Sequence, residues 1–317
     1  MGTRYGIKEG FLLHSSSLGV KTVMRYFLFF FIGISGLSFG QKLLDLEIDN
    51  DLFFGTDYYY SSGIFIKYNR FKSPQDSLAG TSVSTWEIGQ EIYTPSQRYV
   101  TEIERYDFSY SGWLYVGYAR QKHWSDRVSW RWNLRLGLTG EASLAQAFQN
   151  LYHRLILQLP ELAWSAQQPQ QLHGSGRLDL FVKQPLFSDH SIGTQLYAQS
   201  GTYQTFGGGR LGWMLGPSPQ MLYRHSGHAL PQQSWGFYAG IAAEYWLHDF
   251  VLEGDRFINN SVWEFQMNRL RFVYEGGVAF QNERWKFLWL IQAFTKSHPG
   301  QKNNFHRLIK IGISRYF

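Results

Sequence analysis

Trp130-Arg131-Trp132-Asn133-Leu134-Arg135-Leu136-Gly137-Leu138 decides the fold class. Every even position is a large apolar residue, and every odd one is Arg, Asn or Gly. A helix would spread the large residues around its whole circumference, whereas a strand puts them all on one face. The same alternation appears at Leu44, Leu46, Ile48, at Ile64, Ile66, Tyr68 and at Trp86, Ile88. It returns at Leu178, Leu180, Val182, from Trp235 to Tyr245, from Trp285 to Ile291 and from Phe305 to Phe317. With weaker runs near 109–120, 191–201, 208–215 and 266–280, about twelve strands are expected, spaced as antiparallel hairpins.

The faces opposite the apolar ones carry Asp45, Glu47, Asp49, Glu87, Glu91, Arg131 and Arg135, with Gly89 among them. A water-soluble β protein would need an apolar core there. The apolar faces are unusually aromatic, with aromatics toward the strand ends, and the chain closes on a strand ending in Phe317. A mean hydropathy of −0.30 argues against a bundle of membrane helices. It is compatible with a membrane barrel, whose lumen-facing residues are polar. The expected fold is all-β: a closed antiparallel transmembrane β-barrel of about twelve strands.

Upstream, Arg25 precedes an uncharged apolar run from Tyr26 to Phe39 that ends Ser38-Phe39-Gly40. The run is too short and too broken by Gly and Ser to span a bilayer as a helix. A basic residue, an apolar stretch and a small-x-small end describe a secretory signal peptide over residues 1–40, with Met24 as the true start and the barrel over 41–317. The full chain has 30 basic and 24 acidic residues, a net charge of +6. Removing Arg4, Lys8, Lys21, Arg25 and Glu9 leaves 26 against 23, a net of +3. No dense Lys/Arg stripe remains, so nucleic-acid binding is not expected. Aromatics make up 18% of the chain and charged residues 17%, which excludes a disordered chain. The absence of Cys excludes a disulfide framework, a thiol nucleophile and a cysteine zinc site.

Three segments stand out chemically. Glu47-Ile48-Asp49-Asn50-Asp51 and Gly55-Thr56-Asp57 gather oxygens at one hairpin, as a hard cation requires and as a plain turn also would. Ile92-Tyr93-Thr94-Pro95-Ser96 and Asp107-Phe108-Ser109-Tyr110-Ser111-Gly112 flank the next connection at that end. Gln149-Asn150-Leu151-Tyr152-His153 lies in a long connection from about Gly140 to Gly174, and long excursions on a compact fold are usually functional. His153 there is a candidate general base, although a lone histidine is more often structural.

Together these segments resemble the lipid A 3′-O-deacylase (LpxR-type) family of outer-membrane enzymes. The matches are Asn50-Asp51, then Asp57 with Tyr60-Ser61-Ser62-Gly63, then Gln90-x-Ile92-Tyr93-Thr94-Pro95. They continue with Asp107 to Gly112, Gln149-x-x-x-His153 followed by Pro160 and Trp164, and Phe250 to Phe257. The resemblance implies a twelve-stranded, monomeric barrel in the bacterial outer membrane that hydrolyses the ester holding the 3′ acyloxyacyl group of lipid A. Its partners would be lipid A or lipopolysaccharide and the surrounding membrane lipids, and its cofactor Ca²⁺. Carried over, His153 would activate water, with Asn50, Asp51, Ser61 and Arg98 completing the catalytic set. Ser61 stands where the family has Thr, and Arg98 is the nearest basic residue to a family Lys that is missing here. Asp51 would bind the metal. Where the family has a Glu soon after its His, this chain has Gln158, with Glu161 three residues further on. Two alternatives follow: a catalytically inactive barrel with a structural or pore role, and a lipase using Ser61 or Ser62 with a His.

Overall fold

The computed structural model describes residues 42–72, 79–216, 233–258 and 263–317. The expected signal peptide, 1–40, lies outside them. The described residues form twelve strands: β1 (Lys42–Asn50), β2 (Tyr59–Lys72), β3 (Ser82–Thr94), β4 (Ser111–His123), β5 (Val128–Leu138), β6 (Leu172–Pro185), β7 (His190–Gly201), β8 (Gln204–Leu215), β9 (Ser234–Asp249), β10 (Leu270–Gln281), β11 (Trp285–Thr295) and β12 (Phe305–Tyr316). Each pairs antiparallel with its chain neighbours, and β1 pairs antiparallel with β12 from Leu43↔Tyr316 to Asn50↔Ile309, which closes the barrel. The charged odd-numbered faces of β1, β3 and β5 turn inward, and the apolar faces turn outward. Trp86, Ile88, Val116, Leu134, Leu178, Leu196, Phe237 and Trp289 are all exposed on that outer surface. Among the described residues no helix is long and apolar enough to cross a membrane.

Charge inside a narrow barrel has to be paired, because an isolated buried ion loses its hydration. Lys67 sits 2.7 Å from Glu47, Arg135 is 3.3 Å from Glu87, Arg210 is 3.0 Å from Glu275 and Arg271 is 2.9 Å from Asp249. Lys310, wholly buried, pairs with Asp49 and reaches Glu47 at 3.7 Å. Most members of these pairs, with Phe65, Tyr115 and Trp246 between them, line a lumenal cavity of about 200 Å³.

The two ends of the barrel differ. One carries the short turns at 124–127, 186–189 and 282–284 and the longer connections at 73–81 and 216–233. The other carries the connections at 51–58, 95–110, 139–171, 250–269 and 296–304 and the two-residue turn at 202–203. The longest of these contains helix α1 (Ala145–Tyr152), continued by a π-type turn (His153–Leu157), and 250–269 begins with the single-turn helix α2 (Phe250–Glu253).

An arginine on the outer face should be costly only in lipid. Leu134→Arg is expected to lower unfolding stability by about 2–4 kcal/mol in vesicles. Asp126→Asn, in an exposed turn, should change it by no more than about 0.5 kcal/mol. Urea titration of the vesicle-embedded protein, followed by heat-modifiable gel mobility, measures both.

Candidate active site

The hairpin between β1 and β2 is built around Asp51. Asn50 ends β1 and turns the chain by accepting the Leu52 N–H at its Oδ1 (2.8 Å). Asp51 then donates its own N–H to Ser61 O (3.2 Å), and its carbonyl accepts the Phe54 N–H and the Thr56 hydroxyl, both at 2.9 Å. Gly55 takes the left-handed conformation (φ +70°) that closes this turn. The Asp51 carboxyl folds under the turn and is fully buried. Its Oδ2 accepts the Tyr58 N–H at 3.1 Å, and its Oδ1 has no hydrogen-bond partner. Burial pushes its pKa up to about 8, and the neighbouring Asp57 charge adds to that, against the opposing pull of the Tyr58 N–H.

α1 supplies the other half of the site. Ala145, Gln149 and His153 recur every four residues, so they share one face, and all three are buried. That face meets Asp57. His153 Nε2 lies 2.9 Å and Arg98 Nε 3.3 Å from Asp57 Oδ2, and Gln149 Nε2 donates to Oδ1 at 3.4 Å. Neither contact on Oδ2 has the alignment of a hydrogen bond. Catalytic hydrogen bonds are often long or poorly aligned before substrate arrives. Gln149 is held in turn by Trp164 Nε1, which donates to its Oε1 (3.1 Å). Arg98 is anchored through its carbonyl, which accepts the Tyr110 hydroxyl (2.5 Å) and the Ala163 N–H (3.2 Å). The second ring nitrogen of His153, Nδ1, is buried without a hydrogen-bond partner.

Strand parity shows which side of the wall this site occupies. On β3, Glu87, Glu91 and Tyr93 line the lumenal cavity, so Gln90 and Ile92 point outward. Both lie beneath the α1 segment: Gln90 Nε2 donates to Ser143 O (2.6 Å), and Ile92 is buried among Tyr106, Tyr110, Ala145, Leu162 and Trp164. On β4, Gly112 leaves room for the helix, since a Cβ there would lie 2.2 Å from the Ala145 Cβ. The helix therefore packs on the outer face of β3 and β4. Asp51, Asp57, Arg98 and His153 are absent from the lining of the lumenal cavity. Nothing in the alternation pattern indicated that the site would sit outside the wall.

The expected residues are distributed as follows. His153 and Arg98 meet at Asp57, and Asp51 is near enough to Asp57 for their charges to interact. Ser61 is buried and donates to Ile92 O (3.3 Å), with its carbonyl bonded to Asp51, while Asn50 serves the turn. Gln158 is exposed in a left-handed conformation (φ +56°) that ends the π-type turn. Glu161 is exposed and pairs with Arg154 at 3.1 Å. Neither is buried with Asp51, and no group of three or more His, Asp or Glu suited to a metal ion occurs among the described residues. What Asp51 offers a cation is one buried carboxyl oxygen without a partner, beside Asp57, and a cation there would have to displace the proton that burial favours. Asp57 is the residue sequence reasoning left out of the catalytic set, although it lay inside a recognised motif. Its acidity beside a turn was visible, but its pairing with a helix about a hundred positions away was not.

The family model described as outer membrane protein LpxR matches residues 26–317. The chain belongs to the LpxR family. It is a protein of the bacterial outer membrane, with the barrel fold of that family. LpxR from Salmonella typhimurium superposes with a TM-score of 0.74 at 17% identity, over 87% of this chain and 100% of that one. The β-domain of the Bordetella autotransporter BrkA aligns at a TM-score of 0.46 and 12% identity, over 88% and 99% of the two chains. No curated protein matches the chain. Outer-membrane barrels keep short turns toward the periplasm and longer loops outside, and the end that carries α1 has most of the longer connections of this LpxR-family chain.

Two variants probe this construction. Gly112→Val should displace α1 from the wall without opening the barrel, so that a protease cuts between residues 139 and 171 while gel mobility stays that of a folded barrel. Asp51 has a raised pKa, so its contribution to stability is full below pH 3.8 and is lost as pH rises toward 8. Asp51→Asn should therefore show a smaller fall in urea midpoint between pH 4 and pH 8 than the parent protein.

Proposed function

We propose that this LpxR-family barrel is an ester hydrolase that removes the 3′-linked acyloxyacyl group of lipid A by His-activated attack of water. The observation that carries the reading is the Asp57–His153 pair, buried between α1 and the outer face of the barrel, with Nδ1 of the imidazole unpartnered. A lipid ester in the outer leaflet reaches that face laterally, without entering the lumen.

Each residue has a defined part. The Asp57 carboxylate orients the imidazole through Nε2–H, which leaves the Nδ1 lone pair as the base. Nδ1 takes a proton from water as the water oxygen adds to the ester carbonyl. The tetrahedral intermediate then expels the sugar 3′-oxygen, and the imidazolium returns the proton to it. The products are a free 3′-hydroxyl and the released acid. Gln149 and Arg98 hold Asp57 from its other sides, and Arg98 balances its charge. Water-excluding packing by Trp164 and Tyr110 strengthens these electrostatic contacts. Ca²⁺ is proposed as the cofactor, held through Asp51 Oδ1; when bound it would polarise the ester carbonyl.

Mass spectrometry of lipid A from a host expressing the chain tests the reaction. Loss of one acyloxyacyl mass is expected with the parent protein in calcium-replete medium. His153→Ala, at equal abundance, should slow the loss by about 10²–10⁴-fold. A lipid profile unchanged by the parent protein would overturn the reading in favour of a non-catalytic barrel. Loss that persists in chelator would remove calcium alone.

A further inference from the structure

The helix that carries His153 is amphipathic in the reverse of the usual sense. Its wall-side face holds Ala145, Gln149 and His153, two of them polar. Its outer face holds Phe148, Leu151 and Leu155, with Leu144 and Leu159 just beyond its two ends, and every one of these is exposed, Leu144 and Leu155 at 59%. Phe148, Leu151 and Leu155, three and four residues apart, draw a single stripe along α1 and the turn that follows, and Leu144 and Leu159 flank its two ends. In water, such a stripe would be an unsheltered apolar surface at the tip of a 33-residue connection (139–171). It is not isolated, however. The connection leaves the barrel between Leu138 and Leu172, which face each other across β5 and β6 and are both exposed. The strands beneath the helix show Ile88 and Val116 to the outside, at 55% and 56%. The apolar stripe thus continues the lipid-facing band of the barrel wall.

We propose that this outer face of α1 is a membrane-binding surface, embedded among the acyl chains of outer-leaflet lipid. The helix then lies along the interface with its polar face against the wall, so that the Asp57–His153 pair is roofed by a lipid-anchored element. The exposed Arg154–Glu161 pair lies beside the stripe, where the head groups and water begin. The inference does not depend on the hydrolysis proposed above, since it concerns what covers the helix and not what the histidine does.

The absence of native Cys permits a direct test. Single-cysteine variants at Leu151 and Leu155 carry a nitroxide label, and the folded protein is placed in dioleoylphosphatidylcholine vesicles. Leu134→Cys, on the outer face of β5, gives the reference for lipid, and Glu104→Cys, in an exposed loop, the reference for water. The expected result is an oxygen-to-nickel accessibility ratio at 151 and 155 that shifts from the Glu104 value to the Leu134 value. A ratio equal to that at 104 would overturn the proposal. So would a label shielded from both quenchers with dipolar broadening, which would mean that a second copy covers the stripe. Heat-modifiable gel mobility confirms that each labelled variant remains a folded barrel.

Discussion

A sheet immersed in hydrocarbon has to close on itself, because an unpaired edge N–H or C=O there has no water to turn to. In this chain closure is made by eight consecutive pairs between β1 and β12, from Leu43↔Tyr316 to Asn50↔Ile309. Once the sheet is closed, strand alternation leaves only two environments. One set of residues faces lipid, and the other must solve its own electrostatics inside. The ion pairs of Glu47, Lys67, Asp49 and Lys310 are that solution near the closing strands. The end of the same strand, Asn50-Asp51, begins the site.

A closed wall also has an outside, and the chemistry is placed there. Gly112 lets the backbone of α1 approach β4, and Gln90 ties the start of the helix to β3 through Ser143. The two acidic residues of the hairpin then differ by surroundings alone. Asp57 is met by His153, Arg98 and Gln149, so its charge is matched. Asp51 has one backbone donor and an orphaned oxygen, and burial holds its carboxyl far above the ordinary range. Such a pair, with unlike environments side by side, is how one site obtains two carboxylates of different behaviour.

How much of this could be read beforehand follows from the range of each signal. The run from Trp130 to Leu138 shows its strand directly, because period two is a property of neighbouring residues. The strand count and the charged inner faces of β1, β3 and β5 were readable for the same reason. His153 and Asp51 stood out through motif resemblance. Asp57 as their link did not, because its role is set by a contact across 96 positions of chain. Nor did the side of the wall: a β-bulge shifts the register of β2 between Tyr60 and Ser62, and parity counted through such a point fails. Gln158 and Glu161 illustrate the converse. They follow His153 closely in sequence, yet the left-handed turn at Gln158 leaves both exposed, Glu161 paired with Arg154.

The central claim is that Asp57 and His153 act as one unit on a lipid ester. A double-mutant cycle on acyl release from lipid A in mixed micelles measures this most directly, using His153→Ala, Asp57→Asn and the double variant. If the two side chains work through each other, the double variant is no slower than His153→Ala alone. Losses that multiply, each variant slowing the reaction by its own full factor, would contradict the account.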